Sequence, residues 1–284
     1  MAPSDLRKAG VAGKPIEHSL SPVLHGAAYA ELGLDGWTYE RIEADAEALP
    51  GLVAGLGPEW AGLSVTMPGK RAALELADSV TERAAAVGAA NTLTRRADGT
   101  WAADCTDVEG VTGALRAAGG FTTGHRALLL GAGGTAAAAL AGFAELGIRE
   151  VTLAVREPAR AGEALETAER VGLRIRTERL DEVDLAEEAK AADVVVSTLP
   201  AGAVDAHAAQ LATAECVLDV VYHPWPTPLA SAVEAAGGRL ATGLDMLLHQ
   251  AFGQVEQFTG RTAPRKAMRD ALAAATGDTV PLPL

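Results

Sequence analysis

The chain has 284 residues, 49% of them hydrophobic and 21% charged, with 24 basic against 37 acidic side chains for a net charge of -13. That length suits two domains of roughly 100 to 200 residues each, and the apolar content supports a packed core, which excludes a disordered chain. The acidic balance repels a polyanion, so nucleic acid is not expected as a partner. Cys105 and Cys216 stand far apart with no metal-spaced Cys or His beside them, so neither a disulfide framework nor a metal site is expected and a cytoplasmic setting is.

The N-terminal stretch from Met1 to Lys14 mixes Asp5, Arg7 and Lys8 with small residues and offers no continuous apolar run for a signal peptide. Strand-like runs at Ala9–Gly13, Thr38–Ile42 and Leu63–Thr66 alternate with helical candidates, which predicts an α/β unit. Within it, the segment GKPIEHSLSPVLH from Gly13 to His25 places Ser19 and Ser21 two residues apart, just ahead of Pro22. Hydroxyls and N–H groups at a helix start can hold a carboxylate or the hydroxyls of a small ligand. The same pattern serves as an ordinary serine N-cap, and this segment alone favours that reading. His18 and His25 read as packing or surface residues. The segment SVTMPGK then runs from a strand into a Pro-Gly turn that delivers Lys70. A lysine over a ligand cleft can move protons, although in isolation Lys70 reads as merely solvated. Asn91, and Asp107 after Cys105 and Thr106, add a buried amide and a carboxylate, each of which also fits turn chemistry.

From Arg126 a βαβ pattern is plain: an apolar run Ala127–Leu130, glycines, a helical segment Thr135–Leu146 closed by Gly147, and a second run Val151–Val155. Ala127–Ala144 carries no charge over about the length of a membrane span, but its glycines and alanines divide it into a strand and a helix, so no membrane span is expected. Gly131, Gly133 and Ala136 fit G-x-G-x-x-A, in which the first glycine turns the chain, the second admits a pyrophosphate and the third position packs helix on strand. Further apolar runs at Val194–Val196, Val217–Val221 and around Leu240, separated by Ala/Glu-rich stretches at Ala159–Val171 and Asp184–Ala191, predict a parallel sheet covered on both faces. An NAD-specific site would end its second strand near an acidic residue about 20 positions beyond the glycines. This chain has Arg156 there and Arg160 shortly after, two guanidinium groups suited to a 2′-phosphate, with Glu157 between them. Two solvated arginines remain the alternative. After Gly243 the pattern is helical, Leu244–Thr259 and then Pro264–Ala275 with Pro264 at a helix N1 position, and Thr279–Leu284 reads as a loose tail.

The order of these segments resembles the shikimate dehydrogenase family. The resemblance rests on HSLSP from His18, SVTMPGK ending at Lys70, ANTL from Ala90, TD at Thr106, GAGG from Gly131, VVYHPWPTPL from Val220 and GLDMLLHQA from Gly243. It implies a two-domain α/β enzyme. A Rossmann-type NADP-binding domain would occupy residues 109–243, and an α/β substrate-binding domain, residues 1–108, would be completed by the C-terminal helices in 244–284. The activity implied is reversible, NADP-dependent conversion of 3-dehydroshikimate to shikimate, which serves chorismate and aromatic amino-acid biosynthesis, in a monomer or homodimer. Carried over position by position, Lys70 and Asp107 are the catalytic pair. Ser19, Ser21 and Tyr222 bind the substrate carboxylate, and Thr66, Asn91 and Gln250 join the pair in holding ring hydroxyls. Gly131, Ala132, Gly133, Gly134, Thr135, Arg156, Arg160, Val220 and Gly243 match cofactor positions. The chain departs from the family pattern at Ser64 and Cys105, where Asn is common, at Val155 and Glu157, which flank Arg156 where the family has Asn-Arg-Thr, and at the alanines from Ala136, where an Arg usually follows the glycine loop. These departures leave open a relative acting on quinate or an aminoshikimate with NAD. A non-catalytic NADP-binding sensor is the third reading, against which stand Lys70 and Asp107 together.

Overall fold

The computed structural model describes residues 6–284, which form two compact units. The first contains the chain up to Thr106 together with Gln250–Leu282 and Leu284; the second contains Asp107–His249 and Pro283.

In the first unit, β1 (Arg7–Gly13), β2 (Trp37–Glu43), β3 (Trp60–Val65), β4 (Ser79–Val80), β5 (Thr92–Arg95) and β6 (Trp101–Asp104) make one sheet in the order β2-β1-β3-β5-β6-β4. β1 lies parallel to β2 and β3, β5 runs antiparallel to β3 and β6, and β4 is parallel to β6. β3 is buried at every position, as a central strand covered on both faces should be. β2, at the edge, alternates half-buried with exposed residues over most of its length. The helix Ser21–Glu31 packs on the C-terminal helix Arg265–Ala275. Gly62 is glycine for a packing reason: a Cβ there would overlap the Phe258 ring.

In the second unit, β7 (Arg126–Leu130), β8 (Glu150–Val155), β9 (Arg174–Arg179), β10 (Val194–Ser197), β11 (Cys216–Asp219) and β12 (Arg239–Thr242) form an all-parallel sheet, β9-β8-β7-β10-β11-β12. This is the doubly wound dinucleotide-binding order, with its switch point between β7 and β10. Alternation along β7 explains the two cores: Leu129 joins Phe143, Leu146 and Ile148 on one face, while Leu128 and Leu130 join Leu185, Leu211 and Leu229 on the other.

Four expectations need correction. β9 was not anticipated, because its sequence RIRTER has no apolar run; it is an edge strand whose Arg176 pairs with Glu178 and Glu188. The stretch Ala159–Val171 is broken into a 3-10 turn, Pro158–Arg160, and a helix, Gly162–Arg170. Pro264 is the N-cap rather than the first residue of its helix. The tail is not loose, since Val280 and Leu282 are buried. Among the described residues no helix is long and apolar enough to cross a membrane, and no cluster of three or more His, Cys, Asp or Glu side chains is placed to hold a metal ion.

Candidate active site

Ser19 and Ser21 stand where β1 has ended and the first helix begins. The N-cap position is Leu20, which makes no side-chain cap bond, and the serine that serves the helix start is Ser19. Ser19 Oγ accepts the Ser21 N–H at 3.3 Å, and its carbonyl accepts Nε and Nη2 of Arg41 at 3.1 and 2.6 Å. Ser21 is buried.

Tyr39 opens a chain of hydrogen bonds whose directions are fixed by chemistry. Gln254 Nε2 donates to the Asn91 carbonyl and to Thr92 Oγ1, both at 3.2 Å. The carbonyl can only accept, so the orientation of this amide is set and Gln254 Oε1 must face Ser64. Ser64 Oγ therefore donates to Gln254 Oε1 at 2.9 Å, and Tyr39 donates to Ser64 at 2.7 Å. His25 Nε2, 3.4 Å from the same Oε1, carries the ring proton for the same reason. Burial holds the His25 pKa at about 3, against the opposing Gln254 bond, so the ring is neutral; it stacks on Tyr39 with centroids 4.0 Å apart. Burial also pushes the Tyr39 phenol up, against its bond to Ser64.

Beyond Gln254 the chain reaches Asn91. Thr92 Oγ1 and the Thr106 N–H both donate to Asn91 Oδ1 at 2.8 Å. Asn91 Nδ2 is thereby turned toward Thr106 Oγ1 at 3.0 Å and Gln250 Oε1 at 3.2 Å. Asn91 and Gln250, 159 positions apart in sequence, meet in the fold. Gln254 was absent from the sequence-based set. Its signal was available as spacing, because positions 250 and 254 share one helix face.

Thr66 and Lys70 lie on the turn after β3. A Cβ on Gly13 would overlap the Thr66 methyl, and the Thr66 N–H donates to the Ala12 carbonyl at 2.9 Å, so the turn is pinned to the end of β1. Lys70 is half-buried and opens the helix Lys70–Leu76; its carbonyl accepts the Ala90 N–H at 2.9 Å, one residue before Asn91. Asp107, buried, opens the helix Asp107–Ala117 in the second unit.

The second unit holds a cleft of about 640 Å³ over the glycine turn. Gly131 has φ +101°, and a Cβ there would press on Thr198 Oγ1, so only glycine makes this turn. Gly133 N-caps the helix Gly134–Glu145, and a Cβ built on it would meet no atom within 4 Å. The floor at Gly131, Ala132 and Gly133 is thus open backbone beside a helix N-terminus, which suits a pyrophosphate. Gly134 and Thr135 belong to the first helical turn rather than to the lining of this cleft. Arg156 and Arg160 both line it, together with Glu157 and with Arg179, which the sequence reading missed. Glu157 pairs with Arg160 at 3.7 Å, an exposed and therefore weak pair. Arg156 makes no ion pair among the described residues. A glycine floor and guanidinium walls fit a dinucleotide carrying a 2′-phosphate.

Val220, Tyr222 and Gly243 form a separate group. A Cβ on Gly243 would overlap the Val220 carbonyl and lie 2.9 Å from a Tyr222 ring carbon. Asp219 shapes this loop by accepting the Val221 N–H at 3.2 Å and the Thr227 hydroxyl at 2.7 Å. Burial raises the Tyr222 pKa, which keeps its phenol protonated and able to donate.

Comparison with known proteins agrees with this architecture. Residues 11–93 match the shikimate dehydrogenase substrate binding domain, and residues 243–273 the shikimate 5′-dehydrogenase C-terminal domain. A Methanopyrus kandleri protein named shikimate dehydrogenase (NADP(+)) is 37% identical over 273 residues, 93% of each chain. The chain belongs to the shikimate dehydrogenase family. The solved shikimate dehydrogenase of Mycobacterium tuberculosis is 54% identical, with a TM-score of 0.89 over 94% of this chain and 99% of that one. A quinate dehydrogenase from Corynebacterium glutamicum, solved in complex with NAD, is 28% identical with a TM-score of 0.84 over 95% of this chain and 99% of the other. Within the shikimate dehydrogenase framework the departures noted in the sequence now have surroundings: Ser64 is a link between Tyr39 and Gln254. Cys105 is buried between Asp104 and Thr106. Ala136 is buried in the core of the second unit.

Proposed function

We propose that this protein is an NADP-dependent shikimate dehydrogenase that interconverts 3-dehydroshikimate and shikimate in the cytoplasm, with reduction as the biological direction. The observation that carries the reading is the arginine-walled cleft over the Gly131 turn in a chain of this family. The second unit is the cofactor domain and the first the substrate domain. NADPH, when bound, supplies the hydride for C3 of the substrate. Gly131–Gly133 offer backbone N–H groups to its pyrophosphate, and Arg156 and Arg160 take the 2′-phosphate.

On the substrate side, Ser19, Ser21 and Tyr222 donate to the carboxylate. Thr66, Asn91 and Gln250 bind ring hydroxyls, with Asn91 held in one orientation by Thr92 and Thr106. Lys70 and Asp107 are the acid–base pair: a ring hydroxyl must lose its proton as hydride leaves C3, and Lys70 takes that proton in oxidation and returns it in reduction. Asp107 holds the same hydroxyl and balances the ammonium charge.

A second reading, quinate or aminoshikimate oxidation with NAD, is favoured by Glu157 on the cleft wall, because a carboxylate there opposes a 2′-phosphate. One spectrophotometric panel separates them: shikimate, quinate and aminoshikimate, each with NADP and with NAD. The proposal requires the highest kcat/KM for shikimate with NADP. A higher value for quinate or aminoshikimate, or for NAD, rejects it.

A further inference from the structure

The wall of the nucleotide cleft holds a third guanidinium, from an element distant in sequence. Arg179 is the last residue of β9, and the sheet register sets it beside Val155, the last residue of β8 and the one before Arg156. The Leu180 N–H donates to the Val155 carbonyl at 2.9 Å, so the crossing at the strand ends is closed by backbone. Arg179 therefore reaches the cleft from a ladder rather than from a mobile loop, whereas Arg160 comes from a 3-10 turn.

The side chain is also oriented. Asp181 accepts Nε at 3.1 Å and Nη2 at 2.9 Å in a two-pronged pair, and Glu182 lies 3.1 Å from the same Nε. Both carboxylates occupy one edge of the guanidinium. Nη1 makes no hydrogen bond among the described residues, and neither Asp181 nor Glu182 lines the cleft. A planar fork held along one edge presents its remaining N–H groups in a fixed direction. The charged side chains lining the wall are Arg156, Arg160 and Arg179 against Glu157, with Asp181 and Glu182 compensating Arg179 from behind. A phosphate monoester near neutral pH carries close to two negative charges.

We propose that Arg179 is a third ligand of the cofactor's 2′-phosphate and that Asp181 is the residue that positions it. The inference rests on the NADP reading above and adds to it a specificity-determining residue and its support. The competing account is a purely local role, in which Arg179 and Asp181 fasten the end of an edge strand.

The test is calorimetric titration of the full-length protein with adenosine 2′,5′-bisphosphate and with 5′-AMP, two probes that differ only in the 2′-phosphate. Arg179→Ala should weaken the bisphosphate by about tenfold or more, the range for a lost charged hydrogen bond, and should leave 5′-AMP within about twofold, which also reports an intact adenosine site. Asp181→Asn keeps the side-chain shape but weakens the grip on Arg179, and should weaken the bisphosphate by a smaller factor in the same selective way. Equal losses for both probes in Arg179→Ala, or no loss for either, overturn the proposal alone. A wild-type protein that binds the two probes equally overturns the proposal together with the NADP reading beneath it.

Discussion

Around Asn91 the polar groups are buried and matched donor to acceptor, from Tyr39 through Ser64, Gln254 and Thr92 to Thr106 and Gln250. Around Arg156 the polar groups are charged and exposed, over a floor of bare backbone. The first region stores its geometry in hydrogen-bond direction, since each buried group left unpaired is costly. Apart from Arg179, the second stores little geometry and works by charge, so salt should weaken it and single losses should be partial. A substitution near Asn91 should therefore act on placement of the substrate, and one near Arg156 on the choice of cofactor.

The largest effect expected from this contrast is in the cleft. Replacing both Arg156 and Arg160 by Ala should raise the KM for NADP by between about 30-fold and about 20,000-fold, from two contacts of roughly 1 to 3 kcal/mol each, while the KM for NAD changes little. The exposed pairing of Glu157 with Arg160 argues for the lower part of that range. Steady-state kinetics with each cofactor decide it, and equal losses with both would show that the arginines serve the fold or the shared adenosine half.

Smaller effects belong to the carboxylate-binding serines. Ser19→Ala and Ser21→Ala should each raise the shikimate KM by about 10- to 150-fold with kcat little altered, the value of a hydrogen bond to a charged group at about 1.5 to 3 kcal/mol. Wild-type KM values in both variants would remove these hydroxyls from substrate binding.

The smallest effect concerns stability and comes from the buried region alone. His25 titrates near 6.5 when unfolded and at about 3 in the native protein, lowered by burial. Between those values the unfolded chain binds the extra proton, so the stability contributed by neutral His25 is complete above about pH 6.5 and declines as pH falls toward 3. By pH 5 the loss is about 2 kcal/mol. Urea unfolding followed by tryptophan fluorescence reads mainly this unit, which holds Trp37, Trp60 and Trp101, while Trp225 alone lies in the second. His25→Asn should lose less stability than the wild type between pH 7.5 and 5. Identical pH slopes would contradict the buried, neutral assignment.

The two regions also differed in how much of them the sequence revealed. The cleft is built from contiguous motif and strand ends, so the Gly131 turn, Arg156 and Arg160 were readable from spacing. Arg179 was not, because β9 is a charged edge strand with no hydrophobic period, and its place beside Val155 is a matter of sheet register. Around Asn91 the candidates Ser19, Ser21, Asn91 and Gln250 came from resemblance, while Tyr39, Ser64 and Gln254 connect segments up to 190 positions apart through bonds that no local pattern encodes. The fold itself was largely visible as alternating apolar runs. The short strands β4, β5 and β6 were not, being two to four residues long. The break at Ala161 also escaped notice, since an Ala/Glu-rich stretch carries no stop signal of its own.

Lys70 is the point at which the substrate side of the account is most exposed to failure, and one comparison tests it. Shikimate binding and turnover should be measured side by side for wild type and Lys70→Ala, by calorimetry and by NADPH absorbance. The account predicts a fall in kcat of about 100-fold or more, the range for a lost acid–base group, with the shikimate Kd nearly unchanged. A folded Lys70→Ala protein that turns over at close to the wild-type rate would contradict the assignment of Lys70 to proton transfer.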